Sequence, residues 1–322
     1  MAGIDVDGVL DRIRAGGLLA PGGPVVVLLS GGRDSVCLVD VAVEICGAGA
    51  VGALHVNYGL RDAAGADEAH CAALCDRLGV ALDVERAARP ADAGNLQAWA
   101  RDVRYGAGAR VAAARGARLA AGHTASDQAE TILYRLAASP GRRALLGMPD
   151  EAGLLVRPLL RAALTRKDTA AWCRARGLTW REDATNEAED FARGRVRAGL
   201  LPALRAVHPQ AEASVLRTAA LLREEADVLD VVVDAALAGR ASIGLAHLAA
   251  LPPALGRLVV RRLAEDATGA LCARAAARLP DILDLGRAGP GSTALDVGDG
   301  ARAVVERGVL RFEPTPPLPA RS

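Results

Sequence analysis

Six consecutive residues, Ser30, Gly31, Gly32, Arg33, Asp34 and Ser35, combine the parts of an anion site. Two glycines let the backbone turn tightly and come close to a ligand. The first amides of a following helix then point at that ligand, and the helix dipole favours negative charge there. Ser30 and Ser35 add hydroxyl donors. Asp34 would repel a bare phosphate, so it makes sense only beside Mg2+ or a developing positive centre. The loop is not of the Walker type: the spacing is wrong, and the chain's single lysine is Lys167.

Other residues have suitable types and spacing. Asp127 and Glu130 stand three apart, so a helix would put both carboxylates on one face. Mg2+ takes one or two carboxylates and completes its shell with phosphate oxygens. The plainer reading is an acidic first turn stabilised by the helix dipole. His123 and His55 fall at or near the ends of strand-like runs, and either could equally be a satisfied core histidine. Arg101 and Arg104 share a helical face and could meet phosphate or RNA, or simply solvent. Arg193, Arg195 and Arg197 alternate beside an acidic loop and suit an RNA backbone. Cys71 and Cys75 read as small buried residues. With aromatics at 2% of the chain, no stacking platform for single-stranded RNA is expected, and arginine must do that work.

The elements that position these residues alternate. Residues 24–30 are a short apolar, β-branched run, the mark of a strand buried on both faces. A helix over 34–46, a strand over 51–57, a helix over 66–78 and a strand over 80–85 follow. Then come a helix over 95–115, a strand over 117–122 and a helix over 126–137. Repeated β-α units predict a doubly wound α/β domain on a parallel sheet. Thr165 and Asp168 frame a capping box that opens a helix closed by Gly177. A helical run over 210–237 suits a connector to a second, smaller and mostly helical domain, helical to about 285. Residues 294–312 read as a small β hairpin. The expected boundaries are 1–207 for the first domain, 208–313 for the second, and 314–322 for a disordered tail.

Length and composition bound the rest. A chain of 322 residues, 51% hydrophobic and 24% charged, is ordinary for a folded two-domain protein. No long uncharged apolar run predicts a membrane span, and the acidic start is unlike a signal peptide. Six cysteines without a C-x-x-C pair fit a reducing cytoplasm better than a disulfide framework. The net charge of +1 hides an asymmetry: residues 1–134 carry 12 basic and 16 acidic groups, residues 135–207 carry 14 and 8. A basic middle segment suggests an anion-binding surface.

The S-G-G-x-D-S loop after the first strand resembles that of the PP-loop ATP pyrophosphatases. Within that group, ordered motifs are similar to those of the tRNA(Ile)-lysidine synthases. They are His55-Val-Asn-Tyr-Gly-Leu-Arg61, Ala100-Arg-Asp-Val-Arg-Tyr105, residues 122–131 (GHTASDQAET), Leu145-Leu-Gly-Met148, Arg157-Pro-Leu-Leu160, Glu182-Asp-Ala-Thr-Asn186 and the alternating arginines 193–197. The likeness is sharp from about residue 24 to 210 and looser beyond. Tyr58 departs from the family's histidine, Gly194 from an asparagine, and Ser126 from the first of two aspartates.

The resemblance implies a catalytic domain that uses ATP and Mg2+. ATP would be held by residues 30–35 with His55 and His123, and Mg2+ by Asp34 and Glu130. Asp34 and Asp127 would be catalytic. Free L-lysine would be ligated to the wobble cytidine of the isoleucine tRNA with a CAU anticodon. That tRNA would lie on Arg101, Arg104, Arg193, Arg195 and Arg197. A cytoplasmic enzyme, with a homodimer open, is the expectation. Two alternatives stay open: a tRNA thiolase, which would need cysteines or an iron–sulfur cluster at the site, and a paralogue without catalysis, for which Ser126 speaks.

Overall fold

The computed structural model describes residues 4–59, 64–90, 94–138, 141–181, 192–285 and 292–316. The chain divides into two compact units, Met1–Leu222 and Arg223–Ser322. Among the described residues no helix is long and apolar enough to cross a membrane.

The first unit opens with helix α1 (Val6–Ala15), capped by the Asp5 carboxylate on the Gly8 amide at 3.0 Å. Strand β1 (Val25–Leu28) then runs through the middle of a sheet. All four of its side chains are buried, as the unbroken Val-Val-Val-Leu run requires. Helix α2 (Arg33–Cys46) leads to β2 (Val51–Asn57), α3 (Ala64–Leu78) to β3 (Ala81–Arg86), and α4 (Leu96–Ala114) to β4 (Arg118–Ala120). Helix α5 (Ala125–Ala138) and the short α6 (Arg142–Leu145) follow, then β5 (Glu151–Ala152), β6 (Leu155–Val156) and α7 (Pro158–Arg161). The sheet order is β3-β2-β1-β4-β6-β5, parallel except for the β5–β6 pair. The chain winds outward from β1 through β2 to β3, then returns to β4 on β1's other side. That reversal opens a crevice at the carboxyl ends of β1 and β4, where ligands bind in open α/β sheets.

One face of the sheet packs on a core containing Val36, Leu38 and Val39 of α2, Leu159, and Trp172 of α8 (Arg166–Ala175). The other face packs on Ala107 and Ala112 of α4. The expected capping box of α8 is present, with Thr165 and Asp168 bonding each other's backbone amides. Beyond residue 191 come α9 (Ala192–Arg195), a π-helical turn over Val196–Leu200, α10 (Leu201–Val207) and the long α11 (Ala211–Leu237). The boundary between the two units falls inside α11.

The second unit contains β7 (Ser242–Gly244), α12 (Leu245–Ala250), α13 (Pro253–Thr268) and α14 (Leu279–Leu285). Strands β8 (Thr293–Gly298), β9 (Ala301–Glu306) and β10 (Val309–Pro314) complete it. The expected hairpin is part of a four-stranded antiparallel sheet, ordered β7-β10-β9-β8. Strand β7 lies within the run expected to be helical. Its three residues are too few to show a period, and Ile243 is drawn into the sheet by pairing with Leu310. Residues 317–322 of the expected tail lie outside the described residues, whereas Pro314, expected to begin that tail, ends β10 by pairing with Ala301.

Candidate active site

The loop after β1 is held open by its own residues. Gly31 has φ +81°, a conformation that excludes most side chains. The Ser35 hydroxyl donates to the Gly32 carbonyl at 2.8 Å and accepts the Ser30 amide at 3.2 Å. The Ser30 and Ser35 hydroxyls lie 3.1 Å apart. Gly32 caps α2 without a side chain on the helix's first amides. Unclaimed helix-end amides beside two hydroxyls form an anion cradle. The strand-end loop after β4 presses against it: a Cβ on Gly122 would sit 3.0 Å from the Asp34 carbonyl carbon and oxygen and 3.1 Å from the Ser35 amide.

Opposite the cradle, acidic side chains from two helices meet one guanidinium. Arg166, at the start of α8, contacts Asp127 and Glu130 of α5, and its Nε is 3.9 Å from Asp34 of α2. Arg197 closes the other side of Glu130, with Nε at 2.9 Å and a terminal nitrogen at 3.1 Å. Thr169 donates to Asp34, which also accepts from Arg33 at 3.2 Å. Asp127 does two jobs. One oxygen caps α5 by accepting the Thr124 amide and hydroxyl, each at 2.8 Å, and the other faces Arg166. Burial alone would raise the Asp127 carboxyl. Arg166, the Thr124 hydrogen bonds and His123 outweigh it and hold the group below the usual carboxylate range. The Ser126 hydroxyl accepts the Arg166 amide at 3.4 Å, so the position where an aspartate was expected bridges α5 to α8.

The histidines differ in role. His55 is buried, and its Nδ1 lies 2.9 Å from the Leu29 carbonyl, which makes that nitrogen the donor and fixes the ring beneath the loop. His123 accepts from Arg157 Nε at 3.0 Å. Its pKa is pushed down to about 4 by burial, helped by Arg157, Arg104 and Arg101 against the pull of Asp127. It is a neutral side chain near pH 7 and no general acid. Cys71 and Cys75 are buried as expected, and burial raises their thiols to about 12 and about 11.

The structure thus brings the loop, Asp34, Asp127, Glu130 and both histidines to one crevice. Arg197, expected to face RNA, is turned instead to Glu130. Arg195 is exposed on α9. The Arg193 side chain, Arg61 and the 182–186 motif lie outside the described residues. The sequence assigns no site role to Arg166, Thr169 or Arg157, although Arg157 stands in one of the matching motifs. A buried carboxylate pair on one helix face needs a cation, and that need was the available signal.

The family model for the PP-loop domain matches residues 17–204. A tRNA(Ile)-lysidine synthase from Symbiobacterium thermophilum is 38% identical over 94% of this chain and 69% of its own length. The chain belongs to the tRNA(Ile)-lysidine synthase family. The synthase of Thermus thermophilus is 40% identical over 77% of this chain and 50% of its own. That of Pseudomonas fluorescens is 40% identical over 63% and 47%. The chain therefore spans between about half and two thirds of these relatives. In fold it is similar to a U34-tRNA thiolase from Methanococcus maripaludis, with TM-score 0.57 and 17% identity over 68% of this chain and 78% of the other. Membership of the PP-loop family implies use of ATP.

Proposed function

We propose that this protein ligates free lysine to C2 of the wobble cytidine in the CAU-anticodon isoleucine tRNA. The observation that carries the reading is the pairing of an anion cradle, residues 30–35, with a carboxylate cluster that already holds guanidinium groups. Adenylation needs the first and an amine substrate the second.

In this reading the cytidine O2 attacks the α phosphorus of ATP, and the bond to the β-phosphate oxygen breaks. The cradle amides and the Ser30 and Ser35 hydroxyls take up charge on the leaving pyrophosphate. The lysine ε-amine then bonds to C2, and the C2–oxygen bond breaks to release AMP. An amine with a pKa near 10 arrives protonated, so a carboxylate must orient it and accept a proton. Asp34 is assigned that work; Asp127, the other candidate, has both oxygens taken by Thr124 and Arg166 and is held below the usual carboxylate range, which suits orienting a cation better than accepting a proton. Asp34 also fits Mg2+: it stands at the cradle's edge, and one carboxylate with phosphate oxygens is a usual set for that ion. Mg2+ bound there would supply charge neutralisation on the phosphates. Glu130 has both oxygens engaged by Arg166 and Arg197, which suits a fixed counter-ion better than an open ligand.

Labelled lysine, ATP and Mg2+ incubated with the isoleucine transcript or with a methionine tRNA of the same anticodon test the reading. Label entering only the isoleucine RNA, and lost in Asp34→Ala, is the expected result. No label in either RNA despite ATP binding would favour the non-catalytic paralogue.

A further inference from the structure

The composition argued against a stacking surface, yet the fold gathers three of the chain's eight aromatic side chains at one place. Tyr58, just past β2, meets Trp99 of α4 edge to face, with ring centroids 5.7 Å apart. The Tyr58 hydroxyl donates to the Ala100 carbonyl at 2.9 Å, so the ring is fixed against the first turn of α4. Beside it, Arg101 and Arg104 both lie over the ring of Tyr105, at 4.7 and 5.5 Å from its centroid. Tyr58 is itself close enough to Arg104 and Tyr105 to respond to both.

Two features mark this as a site rather than a packed corner. Neither Arg101 nor Arg104 pairs with a carboxylate among the described residues, and Arg104 Nε is buried without a partner. Tyr58, Trp99 and Tyr105 are only half-buried, and Arg101 is exposed. Preformed arginines on an aromatic ring, beside a second aromatic pair, match the way proteins hold a phosphate and the adjoining unpaired base.

We propose that Tyr58 and Trp99 stack an unpaired nucleobase of the RNA substrate, and that Arg101 and Arg104 hold its phosphate. The inference rests on the reading that the substrate is an RNA. It assigns to this patch a base near the reacting one, because Tyr58 stands just past the carboxyl end of β2, the strand beside β1, at the same end of the parallel sheet as the crevice.

Tryptophan fluorescence of the full chain tests it. An anticodon stem-loop RNA is titrated in, with a fully paired duplex of equal length and ATP alone as the other arms. The stem-loop quenches emission, and the duplex and ATP do not. Trp172 is fully buried; Trp180 is half-buried, so Trp99→Phe must remove the quench for it to belong to Trp99. Trp99→Ala and Tyr58→Ala each weaken stem-loop binding about 10- to 100-fold. Trp99→Phe and Tyr58→Phe recover most of that loss, which an effect on folding alone would not produce for both. Arg101→Ala lowers the salt slope of binding by about 0.7. Equal stem-loop binding by wild type and Trp99→Ala overturns the stacking site while leaving the RNA reading intact. Quenching by ATP alone overturns it in favour of an adenine site. A wild-type protein that binds no RNA removes the functional reading and this inference with it.

Discussion

Replacing Arg166 by methionine is expected to cost the first unit about 3 kcal/mol near pH 7.5. The side chain is 20% exposed, and it contacts Glu130, which is 3% exposed, and Asp127, which is 21% exposed. Removing one partner of a buried ion pair typically costs about 3–5 kcal/mol, because the other charge stays behind. Arg197 remains on Glu130, and Thr124 remains on Asp127, so the lower end applies. For a unit of this size, 3 kcal/mol corresponds to a fall in Tm of about 6–12 °C.

The loss has a pH signature. In the wild type the Asp127 pKa is held down, so its contribution is present above the unfolded carboxylate value and fades as pH falls through the folded one. Without Arg166, burial dominates and the carboxyl rises. The variant then takes up a proton on acidification and sheds its buried charge. The gap between the two proteins therefore narrows from pH 7.5 toward pH 4.5. Circular dichroism melts across that range measure it. Arg166→Met combined with Glu130→Gln should lose less than the sum of the two single changes. A Tm change under about 2 °C, or a gap that does not move with pH, would refute the view that Arg166 is the counter-ion of this cluster.

Gly122→Ala places a methyl against the Asp34 carbonyl and Ser35 amide, so the KM for ATP rises and stability falls by about 1–3 kcal/mol, read by kinetics and urea unfolding. Ser126→Asp adds a carboxylate between two helix N-termini; if the natural site works, kcat/KM for lysine stays within about tenfold, whereas a larger gain marks a dormant protein. Trp172→Phe leaves Asp40, 2% exposed, without its 2.9 Å indole bond; among the described residues Arg176 alone still holds it, and the expected cost is about 1–3 kcal/mol by urea titration. His123 has a folded pKa of about 4, below its unfolded value, so wild-type stability falls as pH drops from about 6.5 to 4; His123→Asn flattens that slope in urea midpoints.

The parts of the fold that the sequence made legible are those whose cause is local. The buried run at β1 and the glycines after α3, α4 and α8 each act within a few residues of where they stand. Strands β5, β6 and β7 are two or three residues long, and only pairing across the sheet makes them strands. The same division holds at the site. The cradle is one continuous segment and could be read directly. The cluster round Arg166 draws on α2, α5, α8 and Arg197, so no window of sequence contains it. In the sequence, Arg195 and Arg197 belong to one alternating series that suits an RNA backbone. Residues two apart on a helix point to opposite sides, and the structure leaves the first exposed and turns the second to Glu130.

The charge asymmetry along the chain also changes meaning. The basic surplus of residues 135–207 suggested an anion-binding surface. Much of it is spent inside the molecule: Arg166 on Asp127 and Glu130, Arg176 on Asp40 and Glu44, Arg181 on Asp67, and Arg197 on Glu130. Each of those acids belongs to the acidic segment, residues 1–134. The two segments are therefore electrostatic complements that fold against each other, and their opposite signs say little about an outside ligand. Arg101 and Arg104, two arginines without a carboxylate partner among the described residues, come from the acidic segment itself, where a count of charge would not look for them. Affinity for an anionic polymer depends on charges that the protein has not already neutralised. On that ground Arg101 and Arg104 should set the salt dependence of RNA binding, while Arg166 and Arg176 should contribute to stability and leave that slope unchanged.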